Sequence, residues 1–337
     1  MEERKKDHID LAFKSKTTIS SQDNRFVYEP ILSEFPGEEE FYFEILGKEI
    51  HTPIWASSMT GGTENAKNIN TNIARVCNKH KMGMGLGSCR IILKDDTHFD
   101  DFNMREHIGF DQPLLANLGI AQVEDLLKKK DEHLIEELIR RLKADGLIIH
   151  VNPFQEWLQP EGNKIKQQPL KTIKKLISKA TYPIMVKEVG QGFGPESLQA
   201  LLELPLETIE FGSFGGTNFS MLEMLRNNAQ LKSMYTPFAH VGQNAYQMVQ
   251  SINEILKKDD KLRCQNLIIS GGIQNFLDGY YLTKAVNMPA MYGMAASILE
   301  YALKGYDQLD SFIEMQFKGF MMAQKYLRIN KNFPEIN

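Results

Sequence analysis

The chain alternates short apolar runs with longer amphipathic stretches, and eight such alternations follow one another from residue 53 onward. The apolar runs are nearly continuous in Val, Ile, Leu and Met, which is typical of parallel strands buried on both faces. Among the stretches between them, Val123–Ala144 has helical spacing and predicts one amphipathic helix with Lys, Glu and Arg on its outer face. The eight predicted strands are Pro53–Ser57, Met82–Leu86, Pro113–Leu118, Gly146–Val151, Tyr182–Val189, Glu207–Phe211, Asn266–Ile269 and Pro289–Tyr292.

The order of these elements predicts the fold class. Repeated strand–helix alternation implies an α/β protein with a parallel sheet and right-handed crossovers. Eight units favour closure into a (β/α)8 TIM barrel, with an open doubly wound sheet as the alternative. Residues 1–50 precede the first barrel strand and are interpreted as an N-terminal arm, with a strand-like piece at Phe41–Leu46, that folds over the barrel mouth. Residues 51–337 would then form one barrel domain that ends in a helix after Asp307. Further predicted helices are Leu170–Ala180, Ala245–Lys257 and Phe276–Val286.

Composition narrows the class of protein. Hydrophobic residues make up 42% and charged residues 24% of the 337 residues, which is ordinary for a globular protein with a large core. The formal net charge of −4 gives no general attraction to nucleic acid or to an anionic membrane surface. Three cysteines are too few for a disulfide framework or a zinc site. Since no apolar run is long enough to span a bilayer and the first residues lack an apolar secretory segment, we expect a cytoplasmic protein without nucleic-acid or membrane partners.

Glycine-rich turns follow the predicted strands, where the chemistry of such barrels resides. Ser270–Ile273 and Tyr292–Ala296 follow the last two strands and lead into predicted helices. This arrangement commonly holds a phosphate group, because backbone N–H groups and the helix N-terminus both favour an anion. The turns Ser58–Gly62, Gly87–Arg90 and Gly212–Asn218 are similarly rich in small and polar residues. Together these turns predict a phosphate-bearing cofactor at one end of the barrel.

The turn after the fourth strand, His150–Gly162, has the highest density of polar side chains. Asn152, Gln155 and Glu156 are among them, and amide and carboxylate oxygens suit a hard divalent cation such as Mg²⁺. Trp157 is interleaved with these groups, which favours a pocket wall over a solvated loop.

Two groups of charged residues require partners. Lys187 and Glu188 lie in an otherwise apolar strand, where an unpaired buried charge is strongly disfavoured. In a flavin-binding barrel the partner of Lys187 would be the N1–C2=O edge of the ring, where negative charge gathers on reduction. A structural Lys187–Glu188 pair is the alternative. The segment Arg4–His8 would supply cations for a diphosphate if it folds over the barrel mouth, and is otherwise a solvated terminus.

Three of these pieces, Arg4–His8, Met59–Gly62 and His150–Gly162, resemble in their order the motifs of type 2 isopentenyl diphosphate isomerases. The resemblance runs from Arg4 to about Ala296, whereas the K-E-V-G, G-G-T and S-G-G-I pieces are shared with other FMN barrels. It implies reversible isomerisation of isopentenyl to dimethylallyl diphosphate by a 1,3-proton shift in isoprenoid biosynthesis. It also implies reduced FMN, maintained by NADPH, with Mg²⁺ for the diphosphate, and a homotetramer or larger assembly.

The resemblance implies a role for each matching residue. Gln155 would be the catalytic residue, as a proton relay or an orienting group beside the substrate. Glu156, supported by Asn152, would bind Mg²⁺. The substrate diphosphate would be held by Arg4, Lys5, His8, Arg90 and His150, together with Gln155. FMN would be held by Ser58, Met59, Thr60, Ser88, Asn117, Lys187 and Thr217, with the backbone of Gly271, Gly272, Gly293 and Met294 at its phosphate.

Four positions depart from the pattern of that family. Cys89 stands where Gln is usual, Gln274 where Arg is usual, Glu210 where Asp is usual, and Asn163 where an acid is typical. Loss of the Arg would remove a cation from the phosphate end. Two other functions remain open: an FMN-dependent oxidoreductase of the TIM-barrel class, and an inactive barrel that binds a phosphorylated metabolite. The polar loop containing Gln155 fits both of these less well.

Overall fold

Eight parallel strands close into a barrel in the computed structural model, which describes residues 2–37, 41–58, 60–226, 229–258 and 261–331. Neighbouring barrel strands follow one another in chain order, and the last strand pairs with the first where Tyr292 lies opposite Ile54. The predicted (β/α)8 barrel is confirmed, and the open sheet is excluded. The strands are β1 Phe26–Tyr28, β2 Phe43–Ile45, β3 Lys48–Ile50, β4 Ile54–Ala56, β5 Gly83–Gly85, β6 Leu114–Gly119, β7 Gly146–Val151, β8 Ile184–Glu188, β9 Thr208–Glu210, β10 Asn266–Ser270, β11 Ala290–Met294 and β12 Leu327–Ile329.

Helices follow the barrel strands and pack around them. The helix predicted over Val123–Ala144 is in fact two helices, because Lys130 adopts a left-handed backbone conformation (φ 63°) that cannot continue a right-handed helix. The helices are α1 Glu2–Leu11, α2 Ala66–Lys79, α3 Phe99–Phe102, α4 Arg105–Ile108, α5 Ile120–Lys129, α6 His133–Leu142, α7 Pro153–Leu158, α8 Pro169–Ile177, α9 Pro195–Leu202, α10 Phe219–Arg226, α11 Ala229–Ala239, α12 Ala245–Leu256, α13 Phe276–Ala285, α14 Ala296–Lys304 and α15 Tyr306–Tyr326. The other three predicted helices and the terminal helix correspond to α8, α12, α13 and α15.

An apolar layer fills the lower part of the barrel interior. The β2–β3 hairpin contributes Ile45 and Ile50 to this layer. The backbone N–H of Leu46 also donates to Glu207, just before β9, at 2.8 Å, so the hairpin covers the end where the strands begin. The opposite end, where the strands finish, is therefore left for a ligand. The remaining buried members of the layer are Trp55, Leu115, Ile148, Met185, Ile268 and Met291.

Two short strands, one near each end of the described chain, pair with each other outside the barrel. Strand β1 pairs antiparallel with β12, and Phe26 lies opposite Ile329. Before this pair, residues 3–24 are exposed throughout. None of the helices within the described ranges combines the length and the apolar character needed to cross a membrane.

Candidate active site

A polar layer replaces the apolar one where the barrel strands end. Side chains two positions apart on a strand point to the same side of the sheet, so the residues two positions beyond the apolar layer also face the barrel interior. Each of these is polar or glycine, which indicates the floor of a ligand site and not a continued core. The floor residues are Ser57, Asn117, His150, Lys187, Ser270 and Gly293, with Gly85 and Glu210 two positions after Gly83 and Thr208 on the two remaining strands.

His150 is held in one orientation by Asn117. The side-chain Nδ2 of Asn117 donates to the carbonyl oxygen of Leu86 at 2.9 Å, which leaves its Oδ1 to accept a hydrogen bond. That oxygen lies 2.8 Å from His150 Nδ1, so Nδ1 carries the proton. Burial, reinforced by the charges of Lys187 and Arg90, lowers the pKa of His150 to about 3. His150 is therefore neutral near pH 7 and presents an unprotonated Nε2 instead of a positive charge.

Lys187 pairs with Glu210 on the neighbouring strand, and not with the carboxylate of Glu188. Its Nζ donates to the Glu188 carbonyl oxygen at 2.8 Å and lies 4.0 Å from Glu210 Oε1. The Glu188 carboxylate turns away and accepts hydrogen bonds at 2.6–2.9 Å from backbone N–H groups in the loop that follows. Burial raises the pKa of Glu188, while those three hydrogen bonds oppose the shift. Lys187 and Glu210 are both buried, so the floor contains one cation and one carboxylate.

A cavity of about 90 Å³ lies against this floor. It is lined by Ser57, Ser58, Lys187 and Glu210, together with the glycine-rich turns after β9, β10 and β11. The hydroxyls of both serines and Oε2 of Glu210 are buried and have no hydrogen-bond partner among the described residues. Because buried polar atoms are almost always hydrogen-bonded, three such atoms at one cavity indicate a ligand with its own donors and acceptors. This is the pattern that a flavin ring would satisfy.

The turns beside the cavity leave no room for side chains. A Cβ on Gly271, which has φ of 89°, would lie 2.2 Å from the Ser213 carbonyl oxygen. A Cβ on Gly216 would lie 2.9 Å from the backbone nitrogen of Gly272. On the neighbouring strand, Gly293 leads into α14. Backbone packed this closely at the start of a helix suits a phosphate group, which needs N–H donors and no bulk.

Asn152, Gln155 and Glu156 come together at the start of α7. Asn152 Nδ2 donates to Gln155 Oε1 at 3.0 Å and lies 3.5 Å from Glu156 Oε1. The other carboxylate oxygen of Glu156 accepts from the backbone N–H of Asn163 at 2.5 Å. Oδ1 of Asn152 is buried and unpaired among the described residues, so it remains free to bind a ligand together with Glu156 Oε1. No cluster of three His, Cys, Asp or Glu side chains suited to a metal occurs in the described part of the chain. A Mg²⁺ ion here would therefore need oxygens from substrate or water.

Glu223 is a site residue that the sequence patterns missed. Gln155 Nε2 donates to Glu223 Oε1 at 3.4 Å, across 68 positions of sequence. Glu223 is buried on α10, and its other oxygen accepts from Arg226 at 2.6 Å. Arg226 also bonds Glu161 at 2.6 Å. Gln155 is thus held on both sides, by Asn152 at its oxygen and by Glu223 at its nitrogen. A signal for it existed in the sequence: had a helix been predicted over Phe219–Arg226, Glu223 would have lain on its buried face.

Several residues predicted for the site are placed at its rim or away from it. Arg4, Lys5 and His8 lie exposed on α1, so their contact with a diphosphate stays a prediction. Arg90 is exposed at the rim but close enough for its charge to lower the pKa of His150. Met59 lies outside the described residues. Of the remaining predicted residues, Ser88 and Thr217 are exposed, Thr60 is half-buried, and Met294 is buried.

Comparison with known proteins decides the family. The chain is 32% identical over 306 residues to the isopentenyl-diphosphate delta-isomerase of Rickettsia typhi, covering 89% of this chain and 86% of that protein. It is 33% identical over 306 residues to the protein of the same name from Rickettsia prowazekii, with the same coverage. This chain belongs to the isopentenyl-diphosphate delta-isomerase family. No family model matches it.

The barrel of this isopentenyl-diphosphate delta-isomerase family member is shared with flavin proteins. A double mutant of flavocytochrome b2 with sulfite bound superimposes with a TM-score of 0.62 at 13% identity, covering 89% of this chain and 72% of that chain. A mandelate oxidase mutant with the monooxide FMN adduct gives 0.55 at 11% identity, covering 96% of both chains. At these identities the likeness shows the fold alone.

Proposed function

We propose that this chain interconverts isopentenyl diphosphate and dimethylallyl diphosphate by a 1,3-proton shift, with reduced FMN and Mg²⁺ bound and NADPH as the source of electrons. The observation that carries the proposal is the position of Gln155, held between Asn152 and Glu223. Membership of the isomerase family supplies the substrate class. The unpaired polar atoms of the cavity support a cofactor with ring donors and acceptors.

Gln155 can move a proton because Glu223 lies behind it. A neutral amide is a poor acid by itself. With Glu223 Oε1 at 3.4 Å, Gln155 Oε1 can take a proton while its Nε2 releases one to the carboxylate. The reverse transfer returns the proton, so no charge is gained or lost over the cycle. Arg226 Nη1 donates to the other Glu223 oxygen at 2.6 Å and so fixes the carboxylate behind Gln155.

The floor residues would contact the FMN ring, and the glycine-rich turns after β10 and β11 would hold its phosphate. Ring contacts are assigned to Ser58, Thr60, Ser88, Asn117, Lys187 and Thr217, with Met59 next to them in sequence. The backbone of Gly271, Gly272, Gly293 and Met294 would bind the phosphate, supported by the tight packing of these turns. When bound in its reduced form, the cofactor supplies negative charge that stabilises positive charge developing on the substrate.

Mg²⁺ and the diphosphate would bind at the rim above α7. Glu156 Oε1 and Asn152 Oδ1 are the available protein oxygens, and diphosphate oxygens and water would complete the shell. Arg90 would contact the diphosphate directly, while the unprotonated Nε2 of neutral His150 could only accept a hydrogen bond, from a bound water or another donor, and would shape the site. Arg4, Lys5 and His8, exposed on α1, would add further donors to the diphosphate.

Turnover of isopentenyl diphosphate under anaerobic conditions tests the proposal. The assay compares complete reactions with reactions lacking FMN, Mg²⁺ or NADPH, and it includes Gln155→Ala. A matched control is Gln199→Ala, the same change at an exposed position on α9. We expect dimethylallyl diphosphate only in the complete reaction, from wild type and Gln199→Ala. Steady NADPH oxidation without isomer would instead favour an FMN-dependent oxidoreductase, and a protein that binds no FMN would favour an inactive barrel.

A further inference from the structure

Lys187 and Glu210 form an isolated pair of opposite charges in the barrel floor. Both side chains are buried, and Lys187 Nζ lies 4.0 Å from Glu210 Oε1. The register places them directly opposite each other on β8 and β9. Ser270 donates to the same Glu210 oxygen at 3.1 Å and so holds the carboxylate in place. The pair is thus fixed from two neighbouring strands.

The second oxygen of Glu210 has no evident structural purpose. Oε2 is buried and lacks a hydrogen-bond partner among the described residues, and Glu210 lines the cavity beside Lys187. An unsatisfied buried carboxylate oxygen is costly. By contrast, Oε2 of the neighbouring Glu188 accepts three backbone hydrogen bonds from its own loop. The unpaired oxygen of Glu210 therefore indicates that it serves the ligand in the cavity.

We propose that Glu210 is a positioning residue for the flavin: it holds Lys187 at the ring and brings the net charge of the floor from +1 to about zero. This inference rests on the proposed function. With Lys187 alone, the positive floor would neutralise an electron-rich ring. With Glu210 present, the ring keeps negative charge available for the substrate.

The midpoint potential of bound FMN reports this charge directly. In Glu210→Gln the side chain keeps its size and its acceptor for Ser270 but loses the negative charge. We expect the reduced-to-oxidised ratio at a fixed poise to rise at least tenfold, equivalent to a midpoint about 30 mV more positive for a two-electron couple. Glu210→Asp keeps the negative charge but moves it away from the ring by one methylene. We therefore expect its midpoint potential to shift in the same direction as that of Glu210→Gln, by a smaller amount. Lys187→Gln should shift the ratio in the opposite direction.

Thr208→Val is the matched control. Thr208 lies two positions earlier on β9, is buried on the same face, and its hydroxyl has no partner among the described residues. Because valine has nearly the same shape and the change alters no charge, we expect the FMN potential to stay within threefold of wild type in reduced-to-oxidised ratio. A purely structural role for Glu210 would lower the melting temperature without moving the potential.

Each outcome decides a different question. Unchanged potentials in Glu210→Gln and Glu210→Asp, with FMN bound and the barrel folded, would overturn the inference and leave the isomerase proposal intact. A wild-type protein that binds no FMN would overturn the cofactor assignment and this inference together. If Glu210→Gln does not fold, Glu210→Asp and Lys187→Gln carry the test. Shifts of opposite sign in those two variants support the inference, and shifts of the same sign contradict it.

Discussion

Replacing Glu223 by glutamine removes a buried negative charge behind Gln155 and keeps the size of the side chain. The contact to Gln155 Nε2 is 3.4 Å, a long hydrogen bond. A hydrogen bond to a charged group contributes about 1.5–3 kcal/mol. At the lower end of that range, loss of orientation alone would reduce kcat about tenfold. Loss of a group that also accepts and returns the proton would reduce kcat by about 10²–10⁴. The relay proposed for Gln155 and Glu223 therefore predicts a loss of at least about a hundredfold.

The assay measures kcat and KM for isopentenyl diphosphate with FMN and Mg²⁺ saturating, beside thermal unfolding of each variant. Glu161→Gln is the control, because Glu161 shares Arg226 with Glu223 but is exposed and does not contact Gln155. We expect Glu161→Gln to stay within about threefold of wild type, as surface ion pairs contribute little. A folded Glu223→Gln protein with unchanged kcat would refute the relay. A change in KM alone would refute it as well, since it would assign Glu223 to binding.

Three further predictions concern the metal, pH and stability. Glu156→Gln should raise the Mg²⁺ concentration for half-maximal rate at least about tenfold, because it removes the charged ligand of the proposed Mg²⁺ site. An unchanged Mg²⁺ titration would contradict this. The pKa of His150, lowered from 6.5 to about 3, means that the unfolded chain binds a proton there more readily. The free energy of unfolding should therefore fall as pH drops from 6.5 toward 3, by up to about 1.4 kcal/mol per pH unit from this group. In urea unfolding, the free energy of His150→Gln should depend less steeply on pH than that of wild type. An equally steep dependence would contradict a lowered pKa for His150. Arg105→Met should cost at least about 3 kcal/mol in urea unfolding, because buried Arg105 donates to three backbone carbonyl oxygens and each acceptor left unpaired costs about 1–3 kcal/mol. Arg141→Met, at a half-exposed position, should cost at most about 1 kcal/mol, and equal losses would contradict this.

Much of the barrel could be predicted because its strands are buried on both faces. Such strands read as continuous apolar runs, and each of the eight runs overlaps one observed barrel strand. The break between α5 and α6 could not be predicted from periodicity, because Lys130 adopts its left-handed conformation without a glycine to signal it. The pairing of β1 with β12 was equally hidden, because Phe26 and Ile329 meet only through the folded barrel.

The site was predictable where its residues are close in sequence and hidden where they are not. Asn152, Gln155 and Glu156 fall within one turn of chain, and the structure brings their side chains together. The contact between Gln155 and Glu223 joins two βα units, and neither segment alone indicates it. The sequence also left open, as the alternative to a flavin contact, a pair between Lys187 and the adjacent Glu188. Successive residues on a strand point to opposite sides, which is why Lys187 faces Glu210 instead.

The central claim is that the chain catalyses a proton shift without net oxidation or reduction. The ratio of isomer formed to NADPH consumed, measured in D2O, tests this claim most directly. Proton NMR under anaerobic conditions, with FMN and Mg²⁺ present, follows dimethylallyl diphosphate and its deuterium content while absorbance follows NADPH. We predict many molecules of deuterium-containing product for each NADPH oxidised, with product formation lost in Gln155→Ala. One NADPH oxidised for each molecule of substrate consumed, or no isomer from wild-type protein with FMN demonstrably bound, would contradict the account.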